Sequence, residues 1–523
     1  MSVIRGLTRA AGLVLAAVFA TATMAAAAEG PIFRFTGEPG PYKVGLKVVE
    51  QHDASRTFRT MTLEGGKAVA SFTARPLQTL IWYPAGAAPG KPMTVADYAA
   101  LGDHETSFEH SAPSSGIKEW RAAMTPAMPG GLWAVRDAPA AAGRFPVVIY
   151  APSFSAPSWE NADLCEYWAS HGYVVVASTN LGATTREQTS TVAGIDAQAR
   201  DISYLIGYAA TLQDADTSKL AVAGFSWGGI SNLFAAARDP RIKALVALDG
   251  SMRYFPNLVV QAGDVHPDQM TIPLIYFSQG DWTIEDLVHI GPPTQLTSPN
   301  VLNAWTHGDL TLVRMHGMIH VEYSSMYQRR EDVWAGYAKQ RKEDFEREDG
   351  ITGYAWMARY TEAFLDGYLK GDPAGLGFLK KTAKENGVPP HFITPSFRAA
   401  KGAPVSFASL REQVSREGFD HAEMIYAAML KQTPDFKVEE VDVADWADTL
   451  LAIGRPLDAV AVIKLGIRMH PDSGDAYAFL GDAYRAAGDK ASAATAYKTA
   501  IEKDPEGSDD VKRKLAELTG HQP

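Results

Sequence analysis

Six residues, Gly224-Phe225-Ser226-Trp227-Gly228-Gly229, stand between an apolar run at 220–223 and a helix-like stretch at 230–237. That context dictates a strand, a sharp turn and a helix in succession. A serine on such a turn takes strained dihedrals, and glycines two residues before and after it let the strand and helix backbones approach without side-chain clash. The pattern predicts a serine hydroxyl lifted above the end of a buried strand. In a chain with 45 glycines the pentapeptide alone is a weak signal, so its meaning depends on what surrounds it.

Between about residues 40 and 385, apolar runs of strand length alternate with helical patterns. The strand candidates are 145–150, 173–177, 220–223, 244–248, 274–277 and 310–315, with helices at 161–170, 195–212 and 229–237. Upstream, 42–51 and 77–83 can supply an antiparallel start. This alternation predicts an α/β fold, a mostly parallel sheet with helices on both faces.

A serine hydroxyl is a poor nucleophile until a neutral histidine takes its proton, and that histidine needs a carboxylate to hold its tautomer. With a strand-turn-helix nucleophile, acid and base follow the serine in chain order, on loops at the ends of later strands. Asp281 closes Ser278-Gln279-Gly280-Asp281 just past the 274–277 run, and His316 and His320 follow the 310–315 run. Ser226, Asp281 and His320 are thus the expected catalytic residues, with Asp249, in Leu248-Asp249-Gly250, as the alternative acid and His316 as the alternative base. Glu285 and Asp286 read as surface carboxylates. The oxyanion donors fall at the backbone N–H groups of Trp227, after the nucleophile, and Phe154, after the third strand of the series.

At this point the chain resembles a known group. Gly40-Pro41-Tyr42-Lys43-Val44-Gly45, Asp53-Ala54-Ser55-Arg56, Arg75-Pro76-Leu77 with Ile81-Trp82-Tyr83-Pro84-Ala85, Ala169-Ser170-His171-Gly172-Tyr173 and the Ser226 turn are similar to the platelet-activating-factor acetylhydrolase and dienelactone-hydrolase-like branch of α/β-hydrolases. The resemblance covers most of residues 40–370. It implies the α/β-hydrolase fold and carries the nucleophile to Ser226, the acid to Asp281, the base to His320 and the oxyanion donors to Phe154 and Trp227. Two departures stand out: Pro152-Ser153 replaces the His-Gly that many members place before the oxyanion residue, and serine stands where dienelactone hydrolases proper have cysteine.

The flanks carry their own signals. Residues 1–28 hold Arg5 and Arg9, an apolar core and a run of alanines, which reads as a cleavable signal peptide and an exported, secreted or periplasmic, chain. Its removal takes away two positive charges, moving the net charge from −11 to −13, an acidic balance that argues against nucleic acid or anionic lipid as partners. Cys165 is the single cysteine, so no intramolecular disulfide can form, and its place in a helix-like stretch reads as an inert core thiol. At the other end, Tyr477, Leu480, Gly481, Tyr484, Ala493, Tyr497, Ala500 and Pro505 follow the tetratricopeptide pattern, and Gly454, Ala459 and Pro471 repeat it one period of 34 earlier. Ala422, Tyr426 and Pro434 echo the second helix of a further unit. The expected division is 1–28 signal peptide, 29–385 hydrolase domain, 386–404 proline-rich linker and 405–518 repeats.

No metal-ligand spacing or cofactor motif is present, so neither is expected. The long connections 93–131 and 249–273, with Trp120, Trp133, Trp159, Tyr254, Phe255 and Trp282 in or near them, are candidates for an acyl pocket. A carboxylic ester with a short or modest acyl group is the expected substrate. The alternative is a non-catalytic scaffold whose repeats bind a partner protein, against which the retention of serine, acid and histidine in order counts.

Overall fold

The computed structural model describes residues 33–64, 67–108, 122–280, 300–330, 332–333, 336 and 344–520. The chain forms two compact units, Met1–Gly402 and Ala403–Pro523. The expected signal peptide lies outside the described residues.

The first unit is built on one sheet of eleven strands: β1 Lys43–Glu64, β2 Lys67–Ala85, β3 Pro92–Thr94, β4 Gly131–Arg136, β5 Phe145–Ala151, β6 Val174–Ser178, β7 Ala215–Phe225, β8 Ile242–Leu248, β9 Leu274–Gln279, β10 Leu310–Met315 and β11 Ile393–Arg398. Their spatial order is β11-β10-β9-β8-β7-β5-β6-β2-β1-β4-β3. Neighbours from β6 through β10 run parallel, whereas β2 pairs antiparallel with β6 and β11 antiparallel with β10. The chain leaves β5 in one direction to β6 and returns past it to β7. The carboxyl ends of β5 and β7 therefore flank the switch point where open α/β sheets place their ligands.

The parallel strands are apolar on both faces, as strands covered on both sides must be. In β7, Ala221, Ala223 and Phe225 enter one core while Leu220 and Val222 enter the other. The first core is closed by the helices α1 Ala162–Ser170 and, later in the chain, Arg347–Leu365, through Leu164, Trp168, Tyr354 and Met357. The second is closed by α2 Val192–Ala209 and α3 Trp227–Arg238, through Ile195, Ile202, Ile230, Leu233 and Phe234.

Two elements differ from the sequence-based expectation. The antiparallel start is far longer than 42–51 and 77–83, because β1 and β2 run 22 and 19 residues. Charged residues on these strands are held by ion pairs. Fully buried Arg75 holds Asp201 of α2 through Nε at 2.7 Å and Nη2 at 2.6 Å, and Arg56 reaches the same carboxylate at 2.6 Å. The second difference is the expected linker, 386–404, which contains β11 and so belongs to the sheet. Pro395 made this run look unstructured, yet a proline is tolerated on an edge strand, where one N–H faces away from the ladder.

The second unit is helical: Phe407–Glu417, Ala422–Gln432, Glu440–Ala452, Pro456–Met469, Gly474–Ala486, Lys490–Lys503 and Asp509–Thr519. Gly454 and Gly488, one period apart, take φ of 76° and 82° in the turns between paired helices, a conformation that favours glycine. Gly481 is small because the Tyr497 ring lies against it; a Cβ there would sit 2.3 Å from the ring. Ala459 and Ala493, also one period apart, are fully buried. These pairs, one period apart, are tetratricopeptide packing.

Candidate active site

Ser226 sits between the last residue of β7 and the first of α3 with φ 51° and ψ −115°. Its N–H donates to the Leu248 carbonyl at 3.0 Å, and its carbonyl accepts from Gly229 N–H at 3.0 Å and Ser251 N–H at 2.7 Å. Three glycines make the turn possible. A Cβ on Gly224 would meet Gly228 C at 2.7 Å, one on Gly228 would meet the Ala151 carbonyl oxygen at 2.0 Å, and one on Gly229 would meet Gly250 Cα at 2.6 Å. The last contact draws the loop after β8 against the start of α3. Asp249 is thereby brought beside Ser226.

His320 lies in the loop after β10. Its Nε2 is 3.0 Å from Ser226 Oγ, and its Nδ1 is 2.6 Å from Asp249 Oδ2. The Asp249 carboxylate is fully buried, with the Tyr254 hydroxyl donating to its other oxygen at 2.8 Å, while the His320 side chain is 30% exposed. Phe225 and Tyr254 pack on the imidazole with ring centroids 5.0 and 6.3 Å away. Burial and the neighbouring Asp249 carboxylate push the Tyr254 hydroxyl well above its ordinary range, so it stays a donor. A hydroxyl, an imidazole and a carboxylate thus form one hydrogen-bonded line.

The carboxylate in that line is not the one the sequence reading put first. The expected acid, Asp281, lies outside the described residues, as do Glu285, Asp286, Trp120 and Trp282, and the partner of His320 is the alternative, Asp249. A signal for it was present: Asp249-Gly250 ends a buried strand, and Gly250 is the residue on which Gly229 packs. His316 is turned away from the line, its Nε2 2.8 Å from Thr394 Oγ1.

The loop after β5 is held from several sides. Ser153 N–H donates to Glu160 at 2.8 Å, the Ser153 carbonyl accepts from Asn180 Nδ2 at 2.8 Å, and Gln198 Nε2 donates to the Pro152 carbonyl at 2.8 Å. Ser155 has φ 54°. Phe154 crosses edge-on to Trp227, with centroids 5.4 Å apart, and Trp227 in turn meets Phe255 at 5.8 Å. The two residues expected to supply oxyanion donors are therefore in contact beside Ser226. Trp159, by contrast, is buried and stacks on Tyr98, which makes it a core residue.

Strand order, the positive-φ serine after β7 and the histidine after β10 together decide the fold. The first unit is an α/β-hydrolase fold. A family model described as X-Pro dipeptidyl-peptidase (S15 family) matches residues 97–286 of this unit, and a tetratricopeptide repeat model matches 444–508. A putative carboxymethylenebutenolidase of Methylorubrum extorquens is 30% identical over 140 residues, which cover 24% of this chain and 47% of that protein. The chain thus spans about half the length of the curated relative it matches. A ferulic acid esterase from Streptomyces cinnamoneus superposes with a TM-score of 0.44 at 18% identity, over 65% of this chain and 94% of that one. Among the described residues of this α/β-hydrolase unit and the repeats, no group of acidic, histidine or cysteine side chains is arranged to hold a metal, and no helix is long and apolar enough to cross a membrane. Cys165 is fully buried, and burial and nearby carboxylates push its thiol well above its ordinary range.

Proposed function

We propose that the chain is a serine esterase that cleaves carboxylic esters through an acyl-enzyme. The observation that carries this reading is the line Ser226 Oγ, His320, Asp249, with contacts of 3.0 and 2.6 Å. His320 Nε2 takes the hydroxyl proton as Ser226 Oγ bonds to the ester carbonyl carbon, and Asp249 holds the tautomer and stabilises the imidazolium that forms. The oxyanion is received by the N–H groups of Trp227 and Phe154. On collapse the C–O bond to the alcohol breaks, and His320 returns its proton to the leaving oxygen. Water then repeats the sequence to release the acid and restore Ser226. The similarity to a carboxymethylenebutenolidase supports ester chemistry, and the half-buried rings of Phe154 and Phe255, which pack on Trp227, suit a short or modest acyl group.

The match to the X-Pro dipeptidyl-peptidase model favours a second reading, release of an X-Pro dipeptide by the same three residues. Hydrolysis of p-nitrophenyl esters of increasing acyl length, beside an X-Pro p-nitroanilide, separates the two. Esterase activity that is lost in Ser226→Ala, together with fluorophosphonate labelling of the wild type alone, supports the first. A folded wild type that is neither active nor labelled removes both. Export by the 1–28 segment is part of the same proposal and is tested by the N-terminal residue of the mature chain. The repeats are proposed as a protein-docking module.

A further inference from the structure

Two consecutive residues, Glu160 and Asn161, lie behind the Ser226 line and touch both of the loops that complete it. Glu160 is fully buried, and three donors converge on its carboxylate: Ser153 N–H at 2.8 Å, the Tyr150 hydroxyl at 3.2 Å and the Ser153 hydroxyl. Asn161 is also fully buried; its Oδ1 accepts from Ser325 N–H at 2.8 Å and the Tyr354 hydroxyl at 2.9 Å. Its Nδ2 donates to the Tyr323 carbonyl at 3.0 Å and to the Tyr150 oxygen at 2.6 Å. The Glu160 carbonyl accepts from Met326 N–H at 3.1 Å. One dipeptide is therefore bonded on one side to the loop after β5 and on the other to 323–326, directly after His320.

Peptide geometry gives these bonds a consequence. In a trans peptide the N–H of a residue points opposite to the carbonyl of the residue before it. The Ser153 carbonyl is fixed by Asn180 Nδ2 at 2.8 Å and Ala156 N–H at 3.0 Å, so the direction of the Phe154 N–H is set by whatever holds Ser153. Glu160 grips that residue by both its N–H and its hydroxyl. A fully buried carboxyl, charged or neutral, is costly compared with an apolar side chain of similar volume, so packing alone does not account for it. His320, Tyr150 and Cys165 are the titratable groups that interact with it.

We propose that Glu160 and Asn161 are positioning residues that hold the oxyanion loop and the base loop in register, so that the Phe154 N–H and His320 meet Ser226 together. This rests on the serine-hydrolase reading above. The test uses the full chain and its Glu160→Gln, Asn161→Ala and Ser153→Ala variants, with p-nitrophenyl ester kinetics and amide hydrogen exchange. Glu160→Gln keeps the shape but turns the oxygen that faces the Ser153 hydroxyl into a donor, so that hydroxyl can no longer donate to residue 160. The expected result is kcat lowered about ten- to a hundredfold with KM within about twofold, because the lost interaction is made in the transition state. Exchange should accelerate at 153–156 in Glu160→Gln and at 321–326 in Asn161→Ala, and not across the sheet. Ser153→Ala removes one donor only; if Glu160→Gln does not fold, this variant and Asn161→Ala are read by the same two criteria. Wild-type kcat in the variants, or exchange raised uniformly with kcat and KM shifting together, overturns the proposal. If the wild type hydrolyses no ester, the functional reading fails; localised exchange changes would then still support the positioning role, and their absence would overturn it.

Discussion

Ser226 and Asp249 both occupy the left-handed region, with φ of 51° and 42°, where any side chain beyond glycine is strained. The strain is held by backbone bonds: Ser226 N–H to Leu248, Ser251 N–H to Ser226, and Asp249 N–H to the Phe277 carbonyl at 2.9 Å. Replacing Asp249 by asparagine keeps this backbone but offers His320 the wrong hydrogen-bonding partner. We expect kcat to fall by roughly 10³–10⁴ with little loss of stability. The same change at Asp281 should leave kcat much nearer the wild type; the opposite pattern in steady-state kinetics would return the acid's role to Asp281. Gly228→Ala is expected to destabilise by about 1–3 kcal/mol or more, because its Cβ would lie 2.0 Å from a backbone oxygen that cannot retreat, and thermal unfolding reads this directly. Glu160 gives a pH dependence. Burial pushes its carboxyl from 4.5 up to about 7, against the opposing hydrogen bonds of Ser153 and Tyr150 and the nearby His320. The folded chain thus holds this proton after the unfolded chain has released it. The stabilising contribution is complete below pH 4.5 and is lost as pH rises through about 7. Relative to the wild type, Glu160→Gln should gain melting temperature across that window, by an amount corresponding to about 3 kcal/mol at most.

At the level of strands and helices, legibility followed periodicity. The parallel strands and the helices beside them were readable because both faces of each strand are apolar and the intervening patterns have helical period. The Ser226 turn was readable because glycines at 224, 228 and 229 have a steric task that few sequences meet by accident. The choice of acid was not legible, because sequence shows a carboxylate at the end of each of two adjacent strands and cannot show which one the histidine faces; in the structure His320 faces Asp249. The outer parts of the β1–β2 ribbon, 52–64 and 67–76, and β11 were hidden for another reason: they are held by ladder bonds, and in the ribbon also by ions such as Arg75 with Asp201, which leave no apolar rhythm. In the repeats the small residues carried the signal. Gly488→Ala puts a Cβ on a residue at φ 82° and should lower the stability of the helical unit by about 1 kcal/mol, seen in the circular dichroism melt of the chain.

Over the whole molecule, composition set limits and topology set the site. A single cysteine permits no intramolecular disulfide, so stability comes from the two cores of the sheet and the core of the repeats. The groups the proposed mechanism uses, the Phe154 N–H and the side chains of Ser226, Asp249 and His320, come from four loops at the carboxyl ends of β5, β7, β8 and β10, which is why no short stretch of sequence contains them. The strand at 393–398 has a further consequence for anyone dividing this chain by its proline pattern. A fragment ending at residue 385 would strip the ladder partner from Leu310–Met315 and leave a row of unsatisfied N–H and C=O groups on a half-buried strand. Such a rim is a template for other chains. We expect that fragment to self-associate, whereas one ending at 402 should remain dispersed, a difference that light scattering on the two fragments would show.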